Sequence, residues 1–415
     1  MHVVFSAPYF VEGKFGGGEL WCREVARGLA ARGHTVEMVT TNLTRHGSAF
    51  EPKAPRRGTT FGIPTRRHRV SLLLGLAAKP FGFFPIAPTL PFDPAFRRAD
   101  VVLVSGIEDP TSALAILGAR LAKKPVLVMA HTHMDLVRTM GPDRRLLLAP
   151  LEGSHAAYVQ INTEAERAFW NARIEARRVL DPAGCGSNPV PREWVEGKEE
   201  ARRALGIPAD EKVVLFLARI NWGKGVARGL EATRGIAKRG GKLSLVGFLE
   251  NSRAKFRGEK VSLLDFLDRR YDKADHRIVG DVDERTKHRW LAACDVLVLP
   301  SHNESFGIVI LEAWQHGKPV VVWNQGGMPA VVEDGADGFV VDTIDDFRDR
   351  VETLLAKPEL AARMGAAGRE KQAKRYTWEA VVERVERNVR RVLEVLEPER
   401  ERNADTTAEL RGLPP

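Results

Sequence analysis

The segment richest in chemistry is Pro300-Ser301-His302-Asn303-Glu304-Ser305-Phe306-Gly307-Ile308-Val309-Ile310-Leu311-Glu312. Its two carboxylates, Glu304 and Glu312, are eight residues apart. Along a regular helix that spacing is about 12 Å of rise and about 80° of rotation. The two acids are then too far apart for a close acid–base dyad. They suit hydroxyl recognition at opposite ends of a nucleotide-sized ligand. Ser305, Phe306 and Gly307 sit where the helix should open, with Phe306, Val309, Ile310, Ala313 and Trp314 as its apolar stripe. Free N–H groups at such an opening attract a diphosphate. A second segment, Arg219-Ile220-Asn221-Trp222-Gly223-Lys224-Gly225, carries two cations five residues apart. Arg219 and Lys224 can offset the charge that develops on a diphosphate leaving group.

The first half offers weaker signals. Gly16-Gly17-Gly18-Glu19 lies between a strand-like run and a helical pattern, and its glycines allow backbone to approach a phosphate or sugar. The spacing is neither a dinucleotide fingerprint nor a P-loop. His131 and His133 follow the apolar run Val126–Ala130, where a side chain reaches the carboxyl end of a strand. Asp281 and Asp283 have the spacing of a cation clamp, but Glu284-Arg285-Thr286-Lys287 behind them makes Asp283 a helix N-cap. No metal site is expected.

Holding these residues requires a particular architecture. Apolar, β-branched runs recur at Val3–Phe5, Val36–Thr40, Val101–Ser105, Val126–Ala130 and Tyr158–Asn162. They recur again at Val213–Ala218, Leu243–Gly247, Arg277–Gly280, Val296–Pro300, Val320–Trp323 and Phe339–Val341. Helical patterns separate them, the first from about Glu19 to Arg32. Alternation of this kind predicts an α/β fold with parallel sheets and crossover helices. Two series predict two doubly wound, Rossmann-like domains joined near Asp181–Pro191, a segment dense in turn formers. Ligands in open α/β sheets bind outside the strands' carboxyl ends, so the cleft between the domains is the expected site. From Trp378 to Leu396, apolar residues at helical spacing predict a long amphipathic helix.

The 415 residues carry a net charge of +9, and residues 1–185 account for +8 of it. Residues 45–98 hold ten basic and two acidic residues, a patch that attracts phosphate, nucleic acid or an anionic membrane surface. Arg66 to Leu76, with Phe81 to Ile86, mixes cations with apolar residues, a pattern that suits a helix lying on anionic lipid or a core-packed helix with a basic rim. Three scattered cysteines form no disulfide framework and fit a reducing cytosol. No apolar run reaches the ~18 residues of a spanning helix.

These residues resemble a known family. Arg219…Lys224-Gly225, Asn303-Glu304-Ser305-Phe306-Gly307…Glu312-Ala313 and Gly326-Gly327…Glu333-Asp334-Gly335…Gly338 are similar to the retaining glycosyltransferases of family 4, with the GT-B fold. Gly17-Gly18-Glu19 and His131 match more loosely. The departures are Ala330, where many members carry an acid, Pro182-Ala183-Gly184-Cys185 at the join, and the additional Gly16.

The resemblance implies an acceptor-binding domain over 1–185 and a donor domain over 186–378. It implies a helix over 379–397 returning to the first domain, and a polar tail over 398–415. Lys224 and Arg219 would bind the donor diphosphate, Glu312 the ribose and Glu304 the transferred sugar. The backbone at Ser305, Phe306 and Gly307 would support the phosphate or sugar. Gly17 and Gly18 would close over the donor, and His131 would contact the sugar and the acceptor side.

The implied activity is transfer of a glucose- or mannose-type hexose from a UDP- or GDP-sugar to a sugar, glycan or lipid-linked hydroxyl, without a metal or other cofactor. The implied place is the cytoplasm, with peripheral contact to the inner face of an anionic membrane. The rivals are a sugar-nucleotide epimerase of the same architecture and a non-catalytic binder of nucleotide sugar or nucleic acid. The sequence has no RNA-binding aromatic motif, and a nucleic-acid binder would leave both glutamates idle.

Overall fold

The computed structural model describes residues 1–12, 17–45, 49–50, 54–71, 86–107, 109–131, 146–249, 253–256, 259–302 and 304–411. Gly16, His133, Asn303 and the stretch 72–85 lie outside them. The chain divides into two compact units, Met1–Gly184 with Trp378–Pro415, and Cys185–Thr377.

In the first unit the strands are β1 (His2–Ser6), β2 (Thr35–Thr41), β3 (Arg57–Thr60), β4 (Ile63–His68), β5 (Val101–Ser105), β6 (Val126–Met129), β7 (Ala157–Gln160) and β8 (Val179–Leu180). They order as β8-β7-β6-β5-β1-β2-β4-β3. All neighbours are parallel except β3 and β4, a hairpin that the sequence reading does not anticipate. Its turn residues Phe61 and Gly62 both have positive φ, 52° and 80°, the geometry of a tight primed hairpin turn. The chain order reverses between β1 and β5, so the loops after these two strands flank the switch point. Helix α1 (Gly17–Ala31) follows β1 and buries Trp21, Cys22, Val25, Ala26 and Leu29.

The structure corrects the reading of Arg66 to Leu76 as a helix where it is described. Arg66, Arg67 and His68 belong to strand β4, paired in register with β2. Arg66 and His68 converge on Asp93 at 2.9 and 2.8 Å. Arg67 hydrogen-bonds to the Thr60 hydroxyl and the Phe10 carbonyl. These cations are spent on internal acceptors. No described helix is long and apolar enough to cross a membrane.

The second unit has β9 (Lys212–Leu217), β10 (Gly241–Val246), β11 (His276–Gly280), β12 (Val296–Leu299), β13 (Val320–Trp323) and β14 (Gly338–Val341). Their order is β11-β10-β9-β12-β13-β14, and every pair is parallel. The order reverses between β9 and β12. Those strands are apolar throughout because helices cover both faces, and Val214, Phe216, Val296 and Val298 are fully buried.

The last helix, α2 (Trp378–Arg411), packs on α1 within the first unit. Gly28 makes room for it: a Cβ there would lie 2.4 Å from Val382 Cγ2. The helix does not stop near 397, and the loose tail expected over 398–415 gives way to helix as far as Arg411. Residues beyond Pro398 are rich in Glu, Arg and Ala, good helix formers that carry the helix past the proline.

Glu386 ties this helix down. Its carboxylate meets Arg32 at 2.6 Å, His34 at 3.0 Å and Arg390 at 2.6 Å. Burial alone would raise its pKa, but the bonds from Arg390, Arg32 and His34 outweigh burial and hold it down to about 2. A folded pKa below the unfolded one gives stability that is complete above the unfolded value and lost on acidification. Glu386→Gln should therefore cost about 1 kcal/mol near neutral pH. In unfolding curves measured across pH, the gap from the parent should shrink below pH 4.5 and close near 2.

Candidate active site

Three loops at the carboxyl ends of β9, β12 and β13 interlock through their backbones. The β9 loop begins with Ile220, fully buried, whose N–H donates to Phe248 O at 2.8 Å. Asn221 caps a single turn, Trp222–Lys224, by accepting from Lys224 N at 3.0 Å. Gly225 ends that turn at φ +74°, and a Cβ there would lie 1.9 Å from Pro300 O. His302 N donates to Gly223 O at 3.0 Å. Gly326, at φ +65°, sits so close to the β12 loop that a Cβ would lie 2.1 Å from Glu304 O. Gly327 N donates to that same oxygen at 2.9 Å. Only glycine permits such approaches, so the three loops form one backbone-built platform at the switch point.

On this platform Lys224 Nζ meets Glu304 Oε2 at 2.6 Å. Both side chains are mostly buried, at 15% and 17% exposure, so the pair is shielded yet reachable. Arg219, on the same loop as Lys224, is exposed. Phe306 is buried and packs edge-on to Tyr376, with centroids 5.5 Å apart. Ser305 is half-buried.

The helix carrying Glu312, Ile308–Gln315, begins later than its sequence suggests. Gly307 precedes it in the left-handed region at φ +87°, so Glu304, Ser305 and Phe306 lie on the loop. The regular-helix spacing derived for Glu304 and Glu312 therefore does not apply, and Phe306 is not part of the helical stripe. The opening of the helix is at Ile308 and Val309, with no side-chain cap.

Glu312 does not share the partner of Glu304. Its Oε1 accepts from Lys287 Nζ at 2.7 Å, and Lys287 also meets Glu284 at 2.7 Å. Burial alone would lower the Lys287 pKa, but Glu312 and Glu284 outweigh it and hold it above its ordinary value. The sequence places Lys287 in a helix start but not beside Glu312, because nothing in a spacing of 25 residues announces the pairing. Asp283 caps the helix Glu284–Ala293, accepting from Thr286 N at 2.7 Å, as its sequence predicts. Among the described residues no group of three or more His, Cys, Asp and Glu could hold a metal ion. Cys22, Cys185 and Cys294 form no disulfide, and all three are buried.

In the first unit, Gly17 and Gly18 open α1 directly after the segment that leaves β1, and His131 follows β6. His131 has a positive φ of 45°, unusual for a residue with a Cβ. Its Nε2 is fully shielded, with no hydrogen-bond partner among the described residues. Burial pushes its pKa down to about 3, so the imidazole is neutral near pH 7. A Cβ on Gly18 would lie 3.4 Å from His131 Cδ2. The structure thus brings Gly18 to His131 and Lys224 to Glu304, and seats Glu312 on a separate cation.

Comparison with known proteins agrees with this geometry. Residues 16–186 match a family model described as a glycosyl transferase 4-like domain, and residues 197–371 match one described as glycosyl transferases group 1. D-inositol 3-phosphate glycosyltransferase of Saccharomonospora viridis is 32% identical over 234 residues, 53% of this chain and 54% of that protein. The protein of the same name from Thermobifida fusca is 26% identical over 406 residues, 89% of this chain and 87% of its own length. In several of these curated relatives the match spans only about half the length. Among solved structures, sucrose-phosphate synthase from Thermosynechococcus elongatus superposes with a TM-score of 0.71 at 21% identity, covering 95% of this chain and 99% of that one. Anabaena HepE in complex with UDP-glucose gives 0.68 at 19%, covering 96% and 100%. The two Rossmann-like units, the glycine-built platform and the two matched halves together make this chain a member of the group 1 glycosyltransferases, of the GT-B fold.

Proposed function

We propose that this chain transfers a hexose from a nucleotide diphosphate sugar to a hydroxyl acceptor, with retention at the anomeric carbon. The observation that carries this reading is the shielded Lys224–Glu304 pair at the switch point of the second unit. A lysine and a carboxylate held 2.6 Å apart are a resting state with two ready replacements. The donor diphosphate can take the ammonium, and the sugar's hydroxyls can take the carboxylate. Arg219, exposed on the same loop, adds a second cation to the diphosphate. Glu312, held by Lys287 at 2.7 Å, accepts from the ribose hydroxyls. The backbone at Ser305, Phe306 and Gly307 supports the phosphate and sugar. The family resemblance assigns Gly17, Gly18 and His131 to the sugar and acceptor side.

In the reaction the bond from the anomeric carbon to the diphosphate oxygen breaks, and its electron pair leaves on the diphosphate. Lys224 and Arg219 stabilise that charge. The acceptor oxygen bonds to the same face of the anomeric carbon, and its proton passes to a leaving phosphate oxygen. Glu304 and Glu312 pair with separate lysines, and this reading does not call on the close pair of carboxylates that a covalent double displacement uses in glycosidases. The two cations do the work that a divalent ion does elsewhere, so turnover should survive EDTA.

The UDP and UDP-glucose complexes of Anabaena HepE make uridine nucleotides the first donors to try. The curated relatives named for D-inositol 3-phosphate make that polyol phosphate the first acceptor. A thermal-shift panel of UDP-glucose, UDP-N-acetylglucosamine and GDP-mannose should raise the melting temperature with the true donor. No shift with any nucleotide sugar counts against the assignment.

Lys224→Ala and Glu304→Gln should each lower kcat on the order of 100-fold, with the fold kept by circular dichroism. Near-full activity in both variants refutes the site. Gly225→Ala should also abolish transfer, although it adds only a methyl group, because that carbon collides with the Pro300 carbonyl. A fully active Gly225→Ala variant contradicts the platform.

A further inference from the structure

His131 is held by more than its own strand. It packs against one face of α1, where Gly18 and Trp21 are three residues apart and therefore neighbours on the helix surface. Gly18 leaves the space that the imidazole fills, as the 3.4 Å approach to Cδ2 shows. Trp21 closes the other side. Its ring meets the imidazole edge-on, with centroids 5.3 Å apart and planes at 72°. The indole cannot turn freely, being 2% exposed. Its Nε1–H also donates to Gly184 O at 3.3 Å. Gly184 is the last residue before the chain passes into the second unit, and it takes a positive φ of 69°. The neighbouring Ala183 O accepts from Arg384 Nε of the last helix at 2.9 Å. The wall against which His131 rests is thus anchored at both its ring and its N–H.

His131 needs such a wall. Its left-handed backbone is strained for a residue with a Cβ, and its Nε2 has no hydrogen-bond partner among the described residues to fix the ring. With Nε2 shielded and unpaired among the described residues, the packing of the ring against Trp21 bears directly on its orientation. We propose that Trp21 is a positioning residue: its indole, pinned to Gly184, sets the imidazole of His131 in the orientation in which it meets the sugar. This rests on the reading of His131 as a sugar contact, and it assigns to Trp21 a task beyond filling the core.

The test compares Trp21→Leu, Trp21→Phe, His131→Ala and the double variant Trp21→Leu/His131→Ala. The probes are D-inositol 3-phosphate and UDP-glucose, or the sugar nucleotide that the thermal-shift panel selects. Trp21→Leu should lower kcat on the order of 10- to 100-fold, as misplaced reacting groups do, and change KM less than threefold. Trp21→Phe keeps a flat ring edge and should recover most of the loss. The double variant should be no slower than His131→Ala alone, because the indole acts through the imidazole.

Two results overturn the inference: Trp21→Leu keeping kcat within twofold while His131→Ala loses it, or the double variant losing the product of both single losses. Full activity in His131→Ala instead refutes the role of His131 itself, which separates the two failures. If Trp21→Leu fails to fold, Trp21→Met takes its place, filling the volume without a flat edge.

Discussion

Everything proposed for the second unit depends on backbone meeting backbone. Gly225 against Pro300, and Gly326 against Glu304, bring three loops into contact at distances that leave no room for a side chain. The reversed strand order places the ends of β9 and β12 side by side. The glycines then convert that adjacency into a fixed surface. Lys224 and Glu304 meet because the main chains beneath them have already met. The cost is loss of side-chain packing at several positions. The return is a catalytic pair whose geometry does not rely on long side chains finding one another.

The electrostatics follow from that surface. A shielded ion pair gains little net stability, because both ions give up water to form it. Its persistence at 2.6 Å is better understood as storage. Each member is kept close to its place, with a partner that a donor can replace. Glu312 is handled in the same way by Lys287. Two acids on one segment thus have two separate cations. His131 is the opposite case, a neutral ring whose shielded Nε2 has no charged partner among the described residues and which packs on Trp21.

Much of this was legible in the residues. The apolar, β-branched runs marked eleven of the parallel strands to within a residue or two, because strands buried on both faces tolerate little else, but missed the short β8 and the polar β4. The glutamates, the Arg219–Lys224 pair and Gly307 stood out by type and spacing. What was not legible came from long-range pairing or from backbone geometry. Gly307 looked like part of a helix, yet its left-handed φ pushes the helix start beyond it and leaves Glu304 on a loop. Arg66 and His68 looked like a basic surface until Asp93, far along the chain, claimed both. Lys287 gave no local sign of Glu312. Trp21 gave no local sign of its contact with His131, which crosses more than a hundred positions.

The most direct measurement is the affinity for UDP, by isothermal titration, of the parent chain, Lys224→Ala and Glu304→Gln. UDP carries the diphosphate but no sugar, so it separates the two members of the pair. Lys224→Ala should bind UDP at least tenfold more weakly, and Glu304→Gln as tightly as the parent or more so, because its lysine is released. Equal weakening in both variants, or in neither, would contradict a lysine that grips the diphosphate and a glutamate that waits for the sugar.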